Sequence, residues 1–93
     1  MSYSIIRSDR FGVYFAEVKE QTETKIVLKN ARNIHYWEGA ASVLQIANDP
    51  TKLKSSTRIT VSVDELSITD NVMVIPCTEV AEKFLKEFPV WKI

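Results

Sequence analysis

Cysteine and histidine each occur once in this chain of 93 residues, and that scarcity excludes more function classes than any motif suggests. One thiol permits no internal disulfide, and one imidazole beside it cannot complete the Cys/His ligand sets that hold structural zinc. Small secreted domains usually reinforce a thin core with several bridges, so a lone cysteine points to a reducing cytosol. Glycine occurs twice and proline three times; there is no Gly-rich phosphate loop and no Gly/Pro/Ser linker between domains. HExxH and CxxC are absent as well. No apolar run approaches the roughly 18 residues of a membrane span, and the segment Met1 to Arg7 lacks the basic start and long apolar centre of a signal peptide. The expectation is a soluble, unprocessed protein that does not engage membranes. Lysine plus arginine number 12 and aspartate plus glutamate number 12, so no net charge draws the chain to duplex nucleic acid or anionic lipid.

What is present suffices for one folded domain over residues 1–93. The hydrophobic fraction is 45% and the charged fraction 26%, close to globular averages, while a chain this short buries only about 60–65% of its unfolded surface and has no material for a second core. Phe11 to Val18 and Lys25 to Lys29 are β-rich and flank a polar stretch, the pattern of a hairpin. Asn30-Ala31-Arg32-Asn33 interrupts the alternation before Ile34 to Trp37 restores it, which predicts a bulge or sharp bend inside one long strand. Apolar residues at 40, 43, 44 and 47 predict a two-turn helix over Ala40 to Ala47, stopped by Asp49-Pro50. Ile59, Val61 and Val63 alternate with polar residues as one half-buried strand, Leu66 to Ile68 forms another, and Val72 to Ile75, apolar at every position, reads as a central strand. Thr78 is a helix N-cap, and Val80, Ala81, Phe84, Leu85 and Phe88 form an apolar stripe ended by Pro89. The fold class expected is α+β: a small, strongly bent antiparallel sheet or open barrel with one short internal helix and a C-terminal helix packed on it.

Catalytic chemistry finds little support. Cys77 follows an apolar strand and reads as a small core residue. Asp64 and Glu65 are adjacent on a strand end and point in opposite directions, which suits a solvated turn better than an acid–base pair. The expectation is a protein that is not an enzyme and needs no metal or cofactor. The balanced charge nevertheless conceals an asymmetry. Residues 25–37 carry Lys25, Lys29 and Arg32 without an acid, residues 50–58 carry Lys52, Lys54 and Arg58 without an acid, and residues 61–82 carry five acids without a base. Ordinary solvated charge explains this as well as a local anion site does. The basic segment, however, is also where aromatic and amide side chains concentrate. His35, Tyr36 and Trp37 can stack on bases, Arg32 can pair with phosphate in a bidentate fork without serving the fold, and Asn30 and Asn33 can read a base edge. Gly39 lets the chain turn into a helix near Ala40 whose free N–H groups would admit a phosphate, although Glu38 competes for that position unless it accepts from guanine or a ribose hydroxyl. Neighbouring side chains on a strand face opposite ways, so Trp37 is expected in the core and Tyr36 toward a ligand.

The stretch Val27 to Ser42, with its pattern KNAR-x-I-x-YW-x-GA-x-S, together with Val63-Asp64-Glu65 and Ile75-Pro76-Cys77-Thr78-Glu79, resembles a widespread family of small tailed-phage proteins, the anti-CBASS sponges. Such proteins sequester the cyclic oligonucleotide signals of bacterial antiphage defence without cleaving them. The resemblance implies immune evasion in the cytoplasm of the infected bacterial host and a cyclic oligonucleotide, such as a cyclic dinucleotide, as ligand. It also implies a homo-oligomer, since sponges often place their sites between subunits. Carried onto this chain, the ligand-binding residues are Lys29, Asn30, Arg32, Asn33, His35, Tyr36, Trp37, Ser42 and Gln45, with Arg58 as a phosphate partner from the neighbouring strand. Two other classes fit the same residues: an interaction module docking on a host or virion protein through Tyr36, Trp37 and Trp91, and a single-strand nucleic-acid binder, which zero net charge disfavours.

Overall fold

In a computed structural model of the chain, which describes residues 2–91, three consecutive strands form an antiparallel meander: β1 (Ser4–Ser8), β2 (Gly12–Gln21) and β3 (Ile26–Tyr36). After α1 (Val43–Asn48), the chain wraps both free edges of that meander. β4 (Arg58–Ile59) and β5 (Val63–Ile68) run antiparallel along β3, with Ile59 opposite Ile34 and Ile68 opposite Ile26. β6 (Val72–Pro76) then runs antiparallel along β1, with Val72 opposite Ser8 and Pro76 opposite Ser4. The two edges of one sheet, β5 and β6, are therefore joined by residues 69–71 alone. The four Cα steps from Ile68 to Val72 reach at most about 15 Å, whereas a flat sheet of this width holds its edges about 19 Å apart. The sheet must coil, and it does so without closing, since β5 and β6 do not pair. Irregularities supply the curvature: register shifts lie between Phe15 and Glu17 and between Val18 and Glu20 on β2, and Asn30 takes φ 52° on β3, a left-handed conformation that asparagine tolerates better than most residues.

Coiling buries both faces. Tyr3, Ile5, Phe15, Ile34 and Ile59 face outward beneath Val43, Ile46 and Ala47 of α1 and Leu85 of α2 (Glu79–Glu87), while Ile6, Ala16, Ile26, Leu28, Ala31 and Ile68 fill the concave side. Tyr3 and Phe15 stack with centroids 4.5 Å apart. Each fully buried Ile, Leu or Phe contributes about 1.5–3 kcal/mol, so the two layers together carry the domain. Ser42 caps α1 by accepting from the Gln45 N–H, and the Gln45 side chain accepts in return from the Ala41 N–H at 2.9 Å, a reciprocal arrangement close to a capping box. Thr78 caps α2 by accepting from the Ala81 N–H at 3.1 Å. No helix among the described residues is long and apolar enough to cross a membrane.

The α+β class, the bent open sheet, the hairpin, the bulge near Asn30 and both helices agree with expectation. Several details do not. β1 has no alternation to reveal it, because its neighbours Ile5 and Ile6 are buried on opposite faces. β6 is an edge strand rather than a central one, and Met73 on it is 46% exposed. Its all-apolar sequence reflects a sheet covered on both sides, since Val74 packs on the inner cluster and Ile75 on the outer. The alternation from Ile59 to Val63 does not form one strand: Thr60 leaves the ladder, its N–H donating to the Asn33 carbonyl and its hydroxyl accepting from the Asn33 N–H, both at 3.0 Å, and Val61 is 61% exposed. α1 starts at Val43, three residues later than the apolar spacing implies, because the Ser42 cap fixes its first turn. Val80 lies on the exposed side of α2.

The largest departure is Arg32. Only 5% exposed, it points inward, and its guanidinium donates through Nε to the Thr60 carbonyl (2.8 Å), through Nη1 to the Leu85 carbonyl (2.7 Å) and through Nη2 to the Ile59 carbonyl (3.4 Å). Burial lowers its pKa from the ordinary arginine value, yet the group stays charged. It ties β3 to the strand break and to the last turn of α2, where a cation also suits the helix dipole. Its fork is occupied by the fold, so it is not placed to bind phosphate. Arg32→Met, which keeps the stem but orphans these carbonyls, is expected to lower stability by about 2–4 kcal/mol in urea unfolding; a change within about 0.5 kcal/mol would overturn the structural assignment.

Candidate functional site

The end of β3 is built differently from its centre. Ile34 pairs with Ile59 and Tyr36 with Arg58, so His35 is an extra residue against β4. A bulge of this kind interrupts alternation and lets two successive side chains share a side, and His35 and Tyr36 are both exposed. Beyond α2 the chain returns to this end, and the Trp91 N–H donates to the Ile59 carbonyl at 2.8 Å. That bond lays the indole parallel to His35, with centroids 5.3 Å apart and planes 4° from coplanar. The Arg58 guanidinium carbon then lies 5.2 Å from the Trp91 centroid and 5.7 Å from that of Tyr36, within cation–π range of both. His35, Trp91, Arg58 and Tyr36 form one continuous surface.

Glu38 completes the rim. Its carboxylate accepts from the Ser56 hydroxyl at 2.7 Å, and that bond, followed by one from the Tyr36 hydroxyl, holds its pKa below the usual range. The same contact raises the Tyr36 hydroxyl, so at neutral pH the pair is an ionised acid and a neutral phenol. The backbone around Glu38 is strapped to the loop before β4: its carbonyl accepts from the Lys54 N–H at 2.8 Å, and its N–H donates to Thr57 Oγ1 at 3.2 Å. Gly39, at φ +99°, makes this approach feasible, because a Cβ there would overlap the Lys52 carbonyl. Beside the cluster a cleft of about 470 Å³ opens between this loop and the segment after α2, lined by Leu53, Ser55, Thr57, Phe88, Val90 and Trp91 among others.

The residues expected to bind ligand separate into two groups. His35, Tyr36 and Arg58 come together in the cluster. Trp37 packs against the outer core, with its Nε1–H donating to the Ala40 carbonyl at 3.2 Å, and Tyr36 is 44% exposed, the division of labour that strand alternation implies. The others make their contacts elsewhere in the fold. Lys29 lies 3.8 Å from Glu65, which Lys19 approaches at 3.1 Å. Asn30 donates to Glu17 at 2.9 Å and Asn33 to the Val13 carbonyl at 3.0 Å. Ser42 and Gln45 cap α1, so the Ala41 and Gln45 N–H groups at its start already have side-chain partners. Ser55, Ser56 and Val90 were not anticipated, since small residues in loops carry no periodic signal. Trp91 is a large aromatic beyond the helix-stopping Pro89 and outside the apolar stripe, which is the one sequence hint of its surface role. Cys77 packs partly buried against the outer core, and burial, with the charge of Glu82 adding, pushes its thiol up to about 12.

Fold and site together define a small α+β domain with a coiled open sheet that displays an aromatic–arginine cluster beside an apolar cleft. The chain belongs to the family described as Domain of unknown function (DUF6948), whose model matches residues 1–85. No curated protein and no solved structure matches it.

Gly39→Ala is expected to cost at least about 2 kcal/mol, from positive φ and the collision with Lys52 together, and to loosen the strap that holds Glu38. A thermal melt unchanged by the substitution would refute that role. The raised thiol pKa gives a second expectation. Since the folded state retains the Cys77 proton that the unfolded chain loses above about pH 9, this group's contribution to stability declines between pH 9.0 and about 12. At neutral pH the folded protein should therefore react with a thiol reagent far more slowly than the urea-unfolded chain; equal rates would show an accessible thiolate.

Proposed function

We propose that the domain binds cyclic oligonucleotides and holds them uncleaved, with the cluster at the end of β3 as the contact surface. The observation that carries this reading is Arg58: exposed, within cation–π range of two aromatic rings, and in none of the ion pairs formed among the described residues. A phosphodiester supplies the missing anion, and a base stacks on the open face of Tyr36. Glu38, ionised and next to the Tyr36 hydroxyl, offers an acceptor to a guanine edge or a ribose hydroxyl. Tyr36, the specified position of the sponge-like motif from Val27 to Ser42 that lies in this cluster, is consistent with the same ligand class. On this reading the protein is a phage counter-defence factor acting in the cytoplasm of the infected host. Self-association would deepen the site, as burial in so small a domain favours. A second reading, docking on a host or virion protein, draws on the exposure of Tyr36, Val90 and Trp91.

Calorimetry against cyclic dinucleotides and trinucleotides is expected to show micromolar or tighter binding, with the ligand recovered intact by chromatography after heat denaturation. Arg58→Ala and Tyr36→Ala should each weaken binding by about five- to a hundredfold while leaving the fold in place. Linear fragments after release would show a phosphodiesterase, and no binding to any cyclic nucleotide would favour the docking module.

A further inference from the structure

We infer that the cleft between the loop before β4 and the segment after α2 is a nucleoside subsite, receiving one base and its sugar while the attached phosphate rests on Arg58. The inference builds on the nucleotide reading above and assigns that ligand a pocket formed by residues outside the Lys29–Ser42 motif. Three observations support it. The cleft, at about 470 Å³, falls in the lower part of the range for small-molecule sites, enough for one nucleoside of a cyclic ligand. Its walls suit a flat apolar body with a polar edge: Leu53, Phe88, Val90 and Trp91 supply apolar surface, and the exposed Ser55 puts a hydroxyl at the rim. Thr57 is a wall rather than a reader, because its hydroxyl is committed to the Glu38 backbone. Finally, Trp91 belongs to both features, lining the cleft while carrying Arg58 at 5.2 Å from its ring centroid. An apolar planar group joined to an anion bridges this junction, and a nucleotide has that chemistry. The rest of the ring then lies over Tyr36, so the two ends of the ligand meet different aromatic residues.

The test fills the cleft without touching Arg58, Tyr36 or Glu38. Ser55→Trp and Val90→Trp each place an indole in the space from opposite walls, and both positions are exposed, which favours retention of the fold. Binding of a cyclic dinucleotide to both variants is measured by calorimetry, after a thermal melt confirms folding. An affinity loss of at least about tenfold in the folded variants supports the subsite. Unchanged affinity in a folded variant overturns it and leaves the cluster as the whole site, with the nucleotide reading intact. A wild-type protein that binds no cyclic nucleotide overturns both. A measurement on the unaltered protein covers the case in which neither variant folds: a cyclic dinucleotide bearing 2-aminopurine should lose fluorescence on binding as the base enters among Phe88 and Trp91. Binding with unchanged emission overturns the inference.

Discussion

The link Thr69–Asn71 has to join the two edges of one sheet, and much of the chain's irregularity answers to that requirement. Asp70 anchors the link by accepting from the Ser8 hydroxyl at 2.8 Å and from the Arg10 N–H at 3.3 Å, and the Ser8 bond in particular holds its carboxyl below the usual range. The tip of the β2–β3 hairpin closes in from the other side, where Gln21, Thr22, Glu23, Lys25 and Ile26 share a small pocket with Asp70, Asn71 and Val72. A sheet forced to coil this tightly needs bulges, and it acquires two faces that must both be dry. That is why so short a chain contains two apolar clusters, and why β6 is apolar throughout although it lies at an edge.

The bulged middle of β3 determines the use of its polar residues. Where regular alternation fails, backbone groups lose their ladder partners, and buried ones must be satisfied by other means. Asn33 and Thr60 exchange hydrogen bonds across the break and Arg32 gathers three carbonyls, while Asn30, at φ 52°, donates from its side chain to the Glu17 carboxylate. No buried side-chain nitrogen or oxygen among the described residues is left without a partner. The amides and guanidinium that look, as a string of letters, like a phosphate and base reader are the hydrogen-bonding complement of a distorted strand.

This explains how far the chain could be read before its structure was known. Periodicity found the hairpin, the bulge and both helices, because those are local and each has a cap or breaker beside it, such as Ser42, Asp49-Pro50, Thr78 and Pro89. It missed β1, whose two isoleucines face opposite layers, and it misplaced β6, because apolarity on both faces marks coverage and says nothing of position in the strand order. At the site, alternation separated Trp37 from Tyr36 correctly. The direction of Arg32 was not legible, because it depends on where the chain deserts β3 at Thr60 and where α2 ends, two events far away in sequence. Trp91 was legible as a surface aromatic beside Tyr36, but its stacking on His35 was not, since that contact follows from a single backbone bond to Ile59.

The division of the motif into fold-serving and surface residues changes what a resemblance in this stretch can mean. Arg32, Asn33, Ser42 and Gln45 satisfy backbone groups of this particular coiled sheet and its first helix, and Asn30 holds the Glu17 carboxylate. Another chain with the same letters at those places would be held to the same geometry, whatever it binds. On the proposed reading, ligand choice rests instead on the side chains that satisfy no backbone group, His35, Tyr36, Arg58 and Trp91. The last of these lies beyond the residues 1–85 that the family model matches. A change at Trp91 alone would remove the stacked partner of His35, one of the two rings near Arg58 and a wall of the cleft, yet leave the hydrogen-bonded frame of β3 untouched. The frame and the surface can therefore vary separately, with the hydrogen-bonded frame in the middle of β3 and the exposed cluster at its end and on the segment that returns to cover it.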